Sequence, residues 1–169
     1  DWSSDVCSSD LADYLINGPI AALTTRAKTG WSQTRPTLEQ GNAILEEIDK
    51  GLQAGAVGVG STVGYMRDGV SSREMFEVQK VGARYGRATG AHTRYTLGID
   101  TTENNGAQEL VANALALGAP AIVLHFNNPG WRLAHQMIIG LQEQGHNIWG
   151  EIYPYAAGST TINASFLVP

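Results

Sequence analysis

The stretch Pro120-Ala-Ile-Val-Leu-His125-Phe126 is an apolar run that ends near a histidine and is followed by a helical pattern. A second run of this type, Ala88-Thr-Gly-Ala-His92-Thr-Arg94, lies one helix earlier in the chain. Short apolar runs that alternate with helices predict parallel β-strands joined by right-handed βαβ crossovers. The carboxyl ends of such strands converge on one side of the sheet, so we expect His92 and His125 to project into one cavity.

The same alternation continues outward in both directions. Two capping-box pairs, Thr37 with Gln40 and Ser71 with Glu74, predict where two helices begin. A glycine predicts the end of each of the four helices, and these glycines are Gly55, Gly86, Gly118 and Gly145.

Two further strands are predicted at 56–61 and 147–153, which makes four strands with one helix between each pair. This order indicates an α/β fold with a parallel sheet. It fits part of a (β/α)8 barrel or part of an open doubly wound sheet, and periodicity does not choose between them.

The first eleven residues, Asp1 to Leu11, back-translate codon by codon into a common sequencing adapter. We therefore interpret 1–11 as a disordered assembly artefact and 12–169 as a fragment of a longer protein. Without these residues the formal net charge changes from -5 to -2, and Cys7, the single cysteine, is lost.

This composition excludes disulfides and thiolate metal ligands from the remaining segment. Nucleic acid is not an expected partner because the chain has no basic cluster. A membrane is not expected either, because no apolar run is long enough to span one. We expect a cytoplasmic protein, although the loss of the natural N-terminus leaves a signal peptide open.

The chain has four histidines. His135 lies opposite the apolar stripe of its helix, and His146 precedes the last strand, at the end of the sheet away from the expected site. One histidine on an apolar strand is more often a hydrogen-bonded core residue than a ligand, whereas His92 and His125 together indicate half of a metal site. Neutral imidazole suits Zn²⁺, but two nitrogens hold it weakly, so further ligands must come from elsewhere.

Other polar groups also follow predicted strands. Arg94 is either a clamp for a carboxylate or a salt-bridge partner at the rim of a barrel. The hydroxyls of the Gly158-Ser159-Thr160 loop could bind a carboxylate, but from physics alone an ordinary strand-terminating turn is favoured. Tyr65 lies in a glycine-rich loop that lacks the phosphate-loop spacing, and it could reach a substrate.

These residues together resemble the N-acyl-D-amino-acid deacylases (D-aminoacylases) of the metal-dependent amidohydrolase superfamily. The resemblance runs from about Arg35 to Pro169. Its motifs are Gly55-Ala-Val-Gly-Val-Gly-Ser-Thr with Tyr65, then His92-Thr-Arg94, then Val-Leu-His125, then Ile-Tyr153-Pro-Tyr-Ala-Ala-Gly-Ser159-Thr. The resemblance implies a partial (β/α)8 TIM barrel of about four middle βα units, with one or two zinc ions at the strand C-termini.

The resemblance also implies hydrolysis of the linear amide bond of a small-molecule N-acyl-D-amino acid. His92 and His125 match the family's two zinc-binding histidines from the middle strands. Tyr65, Tyr153 and Ser159 match substrate-contacting positions, and Arg94 would help to orient the substrate.

Two departures from the family leave the acyl-group and side-chain specificity open. Asn127 stands where the family commonly has a lysine, and Thr96 stands where it often has an acid. The family's His-x-His pair and cysteine ligand would lie upstream of this segment and its catalytic aspartate downstream. Since a partial barrel also leaves strand edges unpaired, we expect the isolated segment to be inactive.

Two other functions remain open at this point. The first is a cyclic-amide hydrolase related to the hydantoinases or dihydroorotases, which usually carry a carboxylated lysine between two metals; no lysine lies on the predicted strands. The second is a non-catalytic α/β module that holds a small anion at 153–160, which predicts a self-contained open sheet.

Overall fold

The computed structural model describes residues 34–66, 69–94, 106–125, 131–155 and 157. The helices are α1 (Leu38–Gln53), α2 (Ser72–Arg84), α3 (Gly106–Leu117) and α4 (Trp131–Glu143). The strands are β1 (Gly58–Ser61), β2 (Ala88–Ala91), β3 (Ala121–Val123) and β4 (Ile148–Gly150), and a short 3₁₀ helix, Val63–Tyr65, follows β1. The adapter-like residues 1–11 lie outside the described ranges. None of the helices within those ranges is long and apolar enough to cross a membrane.

The predicted helix boundaries are confirmed by their caps. The Thr37 side chain accepts a hydrogen bond from the N–H of Gln40, and the Gln40 side chain accepts one from the N–H of Thr37. The Ser71 hydroxyl accepts from the N–H of Glu74 at 3.1 Å. The glycine after each helix has a positive φ, which is 104° at Gly55, 61° at Gly86, 60° at Gly118 and 86° at Gly145. Glycine takes this conformation without the steric penalty that a side chain would bring.

The sheet distinguishes between the two architectures that the periodicity left open. Its four strands are parallel and lie in the order β1-β2-β3-β4, so each new strand is added to the same edge. A doubly wound sheet reverses its strand order at a switch point, whereas a (β/α)8 barrel adds each strand beside the last. The predicted partial barrel is therefore confirmed.

The two faces of the sheet differ in their side chains. One row across the sheet packs under the helices and is buried in every strand: Val59, Thr89, Ala121 and Ile148. The adjacent row faces the other way, toward what is the interior of a barrel: Gly60, Gly90, Ile122 and Trp149. Because side chains alternate along a strand, this second row also sets the direction in which residues just past the strand ends point.

A buried amide links two neighbouring helices. Gln79 on α2 is only 2% exposed, and its Nε2 donates to the carbonyl of Leu110 on α3 at 2.9 Å. Its Oε1 accepts from Nδ2 of Asn113, also on α3, at 2.8 Å. Both ends of the amide are thus paired, as a buried polar group requires.

We expect the Gln79 and Asn113 side chains to be energetically coupled. Replacing Gln79 by Ala leaves the Asn113 amide without this partner, so each single variant loses stability and the double variant loses less than the sum. The coupling expected for one buried hydrogen bond is about 0.5 to 1.5 kcal/mol, measured by a double-mutant cycle in urea. Gln53→Ala on the exposed side of α1 is the control, and additive losses at Gln79 and Asn113 would contradict the prediction.

Candidate metal centre

An aromatic ring follows each of the four strands, and the rings form one row along the carboxyl edge of the sheet. Tyr65 stacks on His92 with centroids 4.8 Å apart and planes 25° apart. His92 meets His125 edge to face at 5.4 Å, and His125 meets Tyr153 at 5.7 Å. Tyr155 extends the row, with its centroid 5.1 Å from that of Tyr153. The structure thus brings together four of the six predicted site residues.

His92 is held by hydrogen bonds on both sides of its backbone. Its N–H donates to the carbonyl of Ser61 at 2.8 Å, which continues the ladder between β1 and β2. Its own carbonyl accepts from the N–H of Gly64 at 2.7 Å, inside the 3₁₀ helix. The backbone of His92 is therefore fixed by β1 and by the turn that follows β1.

The imidazole of His92 packs directly on Gly64. A Cβ at Gly64 would overlap Cδ2 of His92 and would lie 2.9 Å from the carbonyl oxygen of Thr93. Tyr65 covers one face of the same imidazole. Gly64 is thus required here for close approach, and the ring has one tightly bounded position.

Burial, with a smaller contribution from the nearby His125, lowers the pKa of His92 from 6.5 to about 4. Removing the imidazole from water disfavours its charged form. His92 is therefore neutral at pH 7. A neutral imidazole offers the lone pair that a metal ion needs, so no proton has to be displaced first.

His125 reaches the row by a different route from the one predicted. His92 is the first residue past β2, whereas His125 is the second residue past β3, and the register aligns Ala91 with Val123. By strand alternation alone, Leu124 rather than His125 would share the face of His92. His125 instead has a φ of 53°, the left-handed region, and this turn interrupts the alternation.

Glu151 is a site residue for which the sequence suggested no role. Its Oε2 accepts from the N–H of His125 at 2.9 Å and lies 2.7 Å from Nδ1 of the same histidine. The ring contact is at ion-pair distance, although it is not aligned as a hydrogen bond. The sequence did contain a signal for this role. Glu151 is an acid that directly follows β4, and β4 lies beside β3, the strand that leads to His125.

Of the two roles predicted for Arg94, the contacts of its guanidinium match the salt bridge and not the carboxylate clamp. Its Nε and Nη2 lie 2.8 Å and 3.1 Å from the two carboxylate oxygens of Glu109 on α3. Its Nη1 donates to the carbonyl of Val70 at 2.8 Å. The salt-bridge alternative is therefore formed. Arg94 does not lie on the strand that precedes His92, because β2 ends at Ala91 and Arg94 lies in a turn.

Ser159 and Asn127 lie outside the described residues, as does Thr96. Within the described ranges no group of three His, Cys, Asp or Glu side chains is placed to hold a metal ion. What these ranges contain is a pair of converging imidazoles, one of them neutral through burial. Their donor chemistry fits zinc as part of a ligand set, and the assignment of the two histidines as half of a metal site stays a prediction.

Solved structures with the same fold include N-acyl-D-glutamate deacylase from Bordetella bronchiseptica, complexed with zinc and a phosphonate that mimics the tetrahedral intermediate of the reaction. It shares 26% sequence identity, covering 73% of this chain and 27% of that chain, with a TM-score of 0.60. The predicted resemblance is confirmed. A D-aminoacylase described as defining a novel subset of amidohydrolases is 20% identical, covering 75% of this chain and 27% of that chain, with a TM-score of 0.60.

A D-aminoacylase studied for its binuclear metal centre matches over the same shares of the two chains, at 20% identity and a TM-score of 0.59. The chain thus spans 27% of the length of each of these structures. No protein-family model matches the chain, and no curated protein sequence matches it.

We expect Gly64→Ala to displace the His92 imidazole. The added methyl group overlaps the ring and crowds the Thr93 carbonyl, so overpacking costs about 1 to 3 kcal/mol in denaturant unfolding. Gly140→Ala on α4 is the matched control, because no atom lies within 4 Å of its added Cβ. That control should keep or slightly raise the stability. Equal stability of the Gly64→Ala variant and the wild type would contradict the packing described.

The low pKa of His92 makes the metal-free protein less stable in acid. The unfolded chain binds a proton at His92 near pH 6.5, while the folded chain binds it only near pH 4. The free energy of unfolding is therefore highest above pH 6.5 and falls as the pH drops from 6.5 to about 4. Denaturant titrations from pH 8 to 4 should show a shallower loss for His92→Gln than for wild type. An identical slope would contradict burial of the neutral ring.

Proposed function

We propose that the protein carrying this segment is a zinc-dependent hydrolase of the amide bond of N-acyl-D-amino acids. The observation that carries the proposal is the pair His92 and His125, with centroids 5.4 Å apart, at the carboxyl edge of a barrel-type sheet. The active sites of TIM barrels lie at this edge. The 26% identity to a zinc-containing N-acyl-D-glutamate deacylase supports the choice of reaction.

His92 and His125 are the residues that would hold the metal, together with ligands from outside this segment. Bound zinc polarises a carbonyl and lowers the pKa of a bound water, which is the chemistry needed to attack an amide. The neutral state of His92 keeps its lone pair available at pH 7. The aspartate that would move the proton, which the family resemblance implies, is expected downstream of Pro169.

Tyr65 and Tyr153 flank the histidine pair on either side and are the proposed substrate contacts. Tyr65 shields one face of His92, and Tyr153 meets the ring of His125. Each side chain combines an apolar ring that excludes water with a hydroxyl that donates to a carbonyl or carboxylate. Ser159 is proposed as a further contact with the substrate.

Arg94 is proposed to act on the substrate side through its neighbours. Its guanidinium joins the first turn of α3, through Glu109, to Val70 in the segment before α2. Both partners belong to connections that leave the carboxyl edge of the sheet. Arg94 thereby stabilises the connection that carries His92 and supports the orientation of the substrate.

The two competing functions are less well supported by the same geometry. The described lysines, Lys50 and Lys80, lie on α1 and α2 and pair with glutamates there, so neither is placed to bridge two metals at the strand ends. An open-sheet anion module is disfavoured by the strand order. D-aminoacylase-type hydrolysis therefore remains the proposal.

We expect His92→Ala and His125→Ala to lose bound zinc and to reduce the hydrolysis of N-acetyl-D-amino acids by at least about 100-fold, since each removes a metal ligand. The measurements are zinc content and amine release by the full-length protein. His135→Ala, on the exposed side of α4, is the matched control and should keep both zinc and activity.

Substrate comparison separates the candidate reactions. Hydrolysis of N-acetyl-D-amino acids that exceeds both N-acetyl-L-amino acid hydrolysis and hydantoin ring opening supports the proposal. Full-length protein that lacks metal, or activity that survives both histidine substitutions, would reject it.

A further inference from the structure

Glu151 occupies a position from which it controls one of the two histidines. It is the first residue past β4, and its N–H donates to the carbonyl of Val123 at 2.9 Å, which continues the ladder between β3 and β4. From this anchored backbone its carboxylate reaches His125, where Oε2 lies 2.9 Å from the backbone nitrogen and 2.7 Å from Nδ1. One oxygen atom therefore contacts both the main chain and the ring of His125.

The contact between Glu151 and the His125 N–H stabilises an uncommon backbone conformation. His125 is the single non-glycine residue with positive φ in the described ranges, and this conformation is uncommon for residues that carry a Cβ. It also turns the His125 N–H out of the sheet ladder. An N–H that leaves the ladder needs another acceptor. The Glu151 carboxylate supplies that acceptor and so stabilises the turn that brings His125 to His92.

The ring contact favours one of the two imidazole nitrogens of His125 as the one that would hold a metal. A carboxylate 2.7 Å from Nδ1 favours the tautomer that carries its hydrogen on Nδ1, because the other tautomer would set a lone pair of Nδ1 against negative charge. Nε2 keeps its lone pair in that tautomer and can coordinate a metal ion. Histidine ligands are commonly oriented in this way by a carboxylate in the next shell of residues.

We propose that Glu151 is a positioning residue. It holds His125 in the left-handed conformation and in the Nδ1–H tautomer, so that Nε2 keeps its lone pair in a ring whose centroid lies 5.4 Å from that of His92. The inference rests on the proposed function, because it assigns a purpose to His125 only as a metal ligand.

Three substitutions at Glu151 distinguish positioning from a general effect of negative charge. Glu151→Gln keeps an oxygen at the same reach from the backbone, so it can still accept from the His125 N–H and lie beside Nδ1. Glu151→Asp keeps the charge but is one methylene too short to reach. Glu151→Ala removes both contacts. Glu46→Gln, an exposed glutamate on α1 that pairs with Lys50, is the control.

The experiment is a zinc competition titration against a chromogenic chelator with the full-length protein, combined with the visible absorption of the Co²⁺-substituted protein. Zinc affinity should fall by about 10- to 100-fold for Ala and Asp, which is the usual effect of losing such a partner. The Gln variant should stay closer to wild type than either, and Glu46→Gln should be unchanged. The Co²⁺ spectrum should change for Ala and Asp.

The remaining outcomes overturn the inference in distinguishable ways. If the Asp variant keeps more zinc affinity than the Gln variant, the negative charge of Glu151 and not its geometry supports zinc binding. If Ala loses zinc as completely as His125→Ala, Glu151 is itself a ligand. If all Glu151 variants bind zinc like wild type, the positioning role is wrong while the metal site stands. Absence of zinc from wild-type protein would instead reject the proposed function. Thermal unfolding of the metal-free variants identifies any that misfold. If the Ala variant misfolds, the zinc affinities of the Gln and Asp variants decide whether Glu151 positions His125.

Discussion

The site depends on backbone hydrogen bonds that continue the sheet beyond the ends of its strands. Ser61 accepts from His92, Ala91 accepts from Leu124, and Val123 accepts from Glu151, at 2.8, 3.1 and 2.9 Å. Each bond joins the last residue of one strand to the residue just past the next strand. His92 and Glu151 are therefore positioned by the parallel ladder itself, and the ladder reaches Leu124, the residue before His125.

Around this backbone frame, side chains fix the two histidines that are proposed as metal ligands. Tyr65 and Gly64 enclose His92, whose burial keeps the imidazole neutral, and Glu151 engages both the main chain and the ring of His125. The two histidines are thus held by different means. His92 is confined by packing, whereas His125 is held by one carboxylate in a turn that interrupts the strand pattern.

The sequence predicted the fold well because the fold depends on local signals. The cap at Thr37 and the glycine at Gly86 act within one helical turn, and the apolar stripes need only a period to be recognised. The site was predicted less completely. That His92 and His125 meet was expected, but the expected reason, equivalent strand positions, was wrong by one residue. A left-handed φ at histidine has no sequence signal, and neither the reach of Glu151 nor the capture of Arg94 by Glu109 follows from spacing along the chain.

The 3₁₀ helix after β1 has a consequence for how this site can change. Its Gly64 donates to the His92 carbonyl and lies against the His92 ring, so neither its length nor its residue can vary without moving the ring. Tyr155, which is 69% exposed at the other end of the aromatic row, has no such restriction. Tolerance to substitution would therefore differ between the two ends of the aromatic row. Gly64 would stay invariant while Tyr155 could be substituted, so a directed evolution library is best begun at Tyr155.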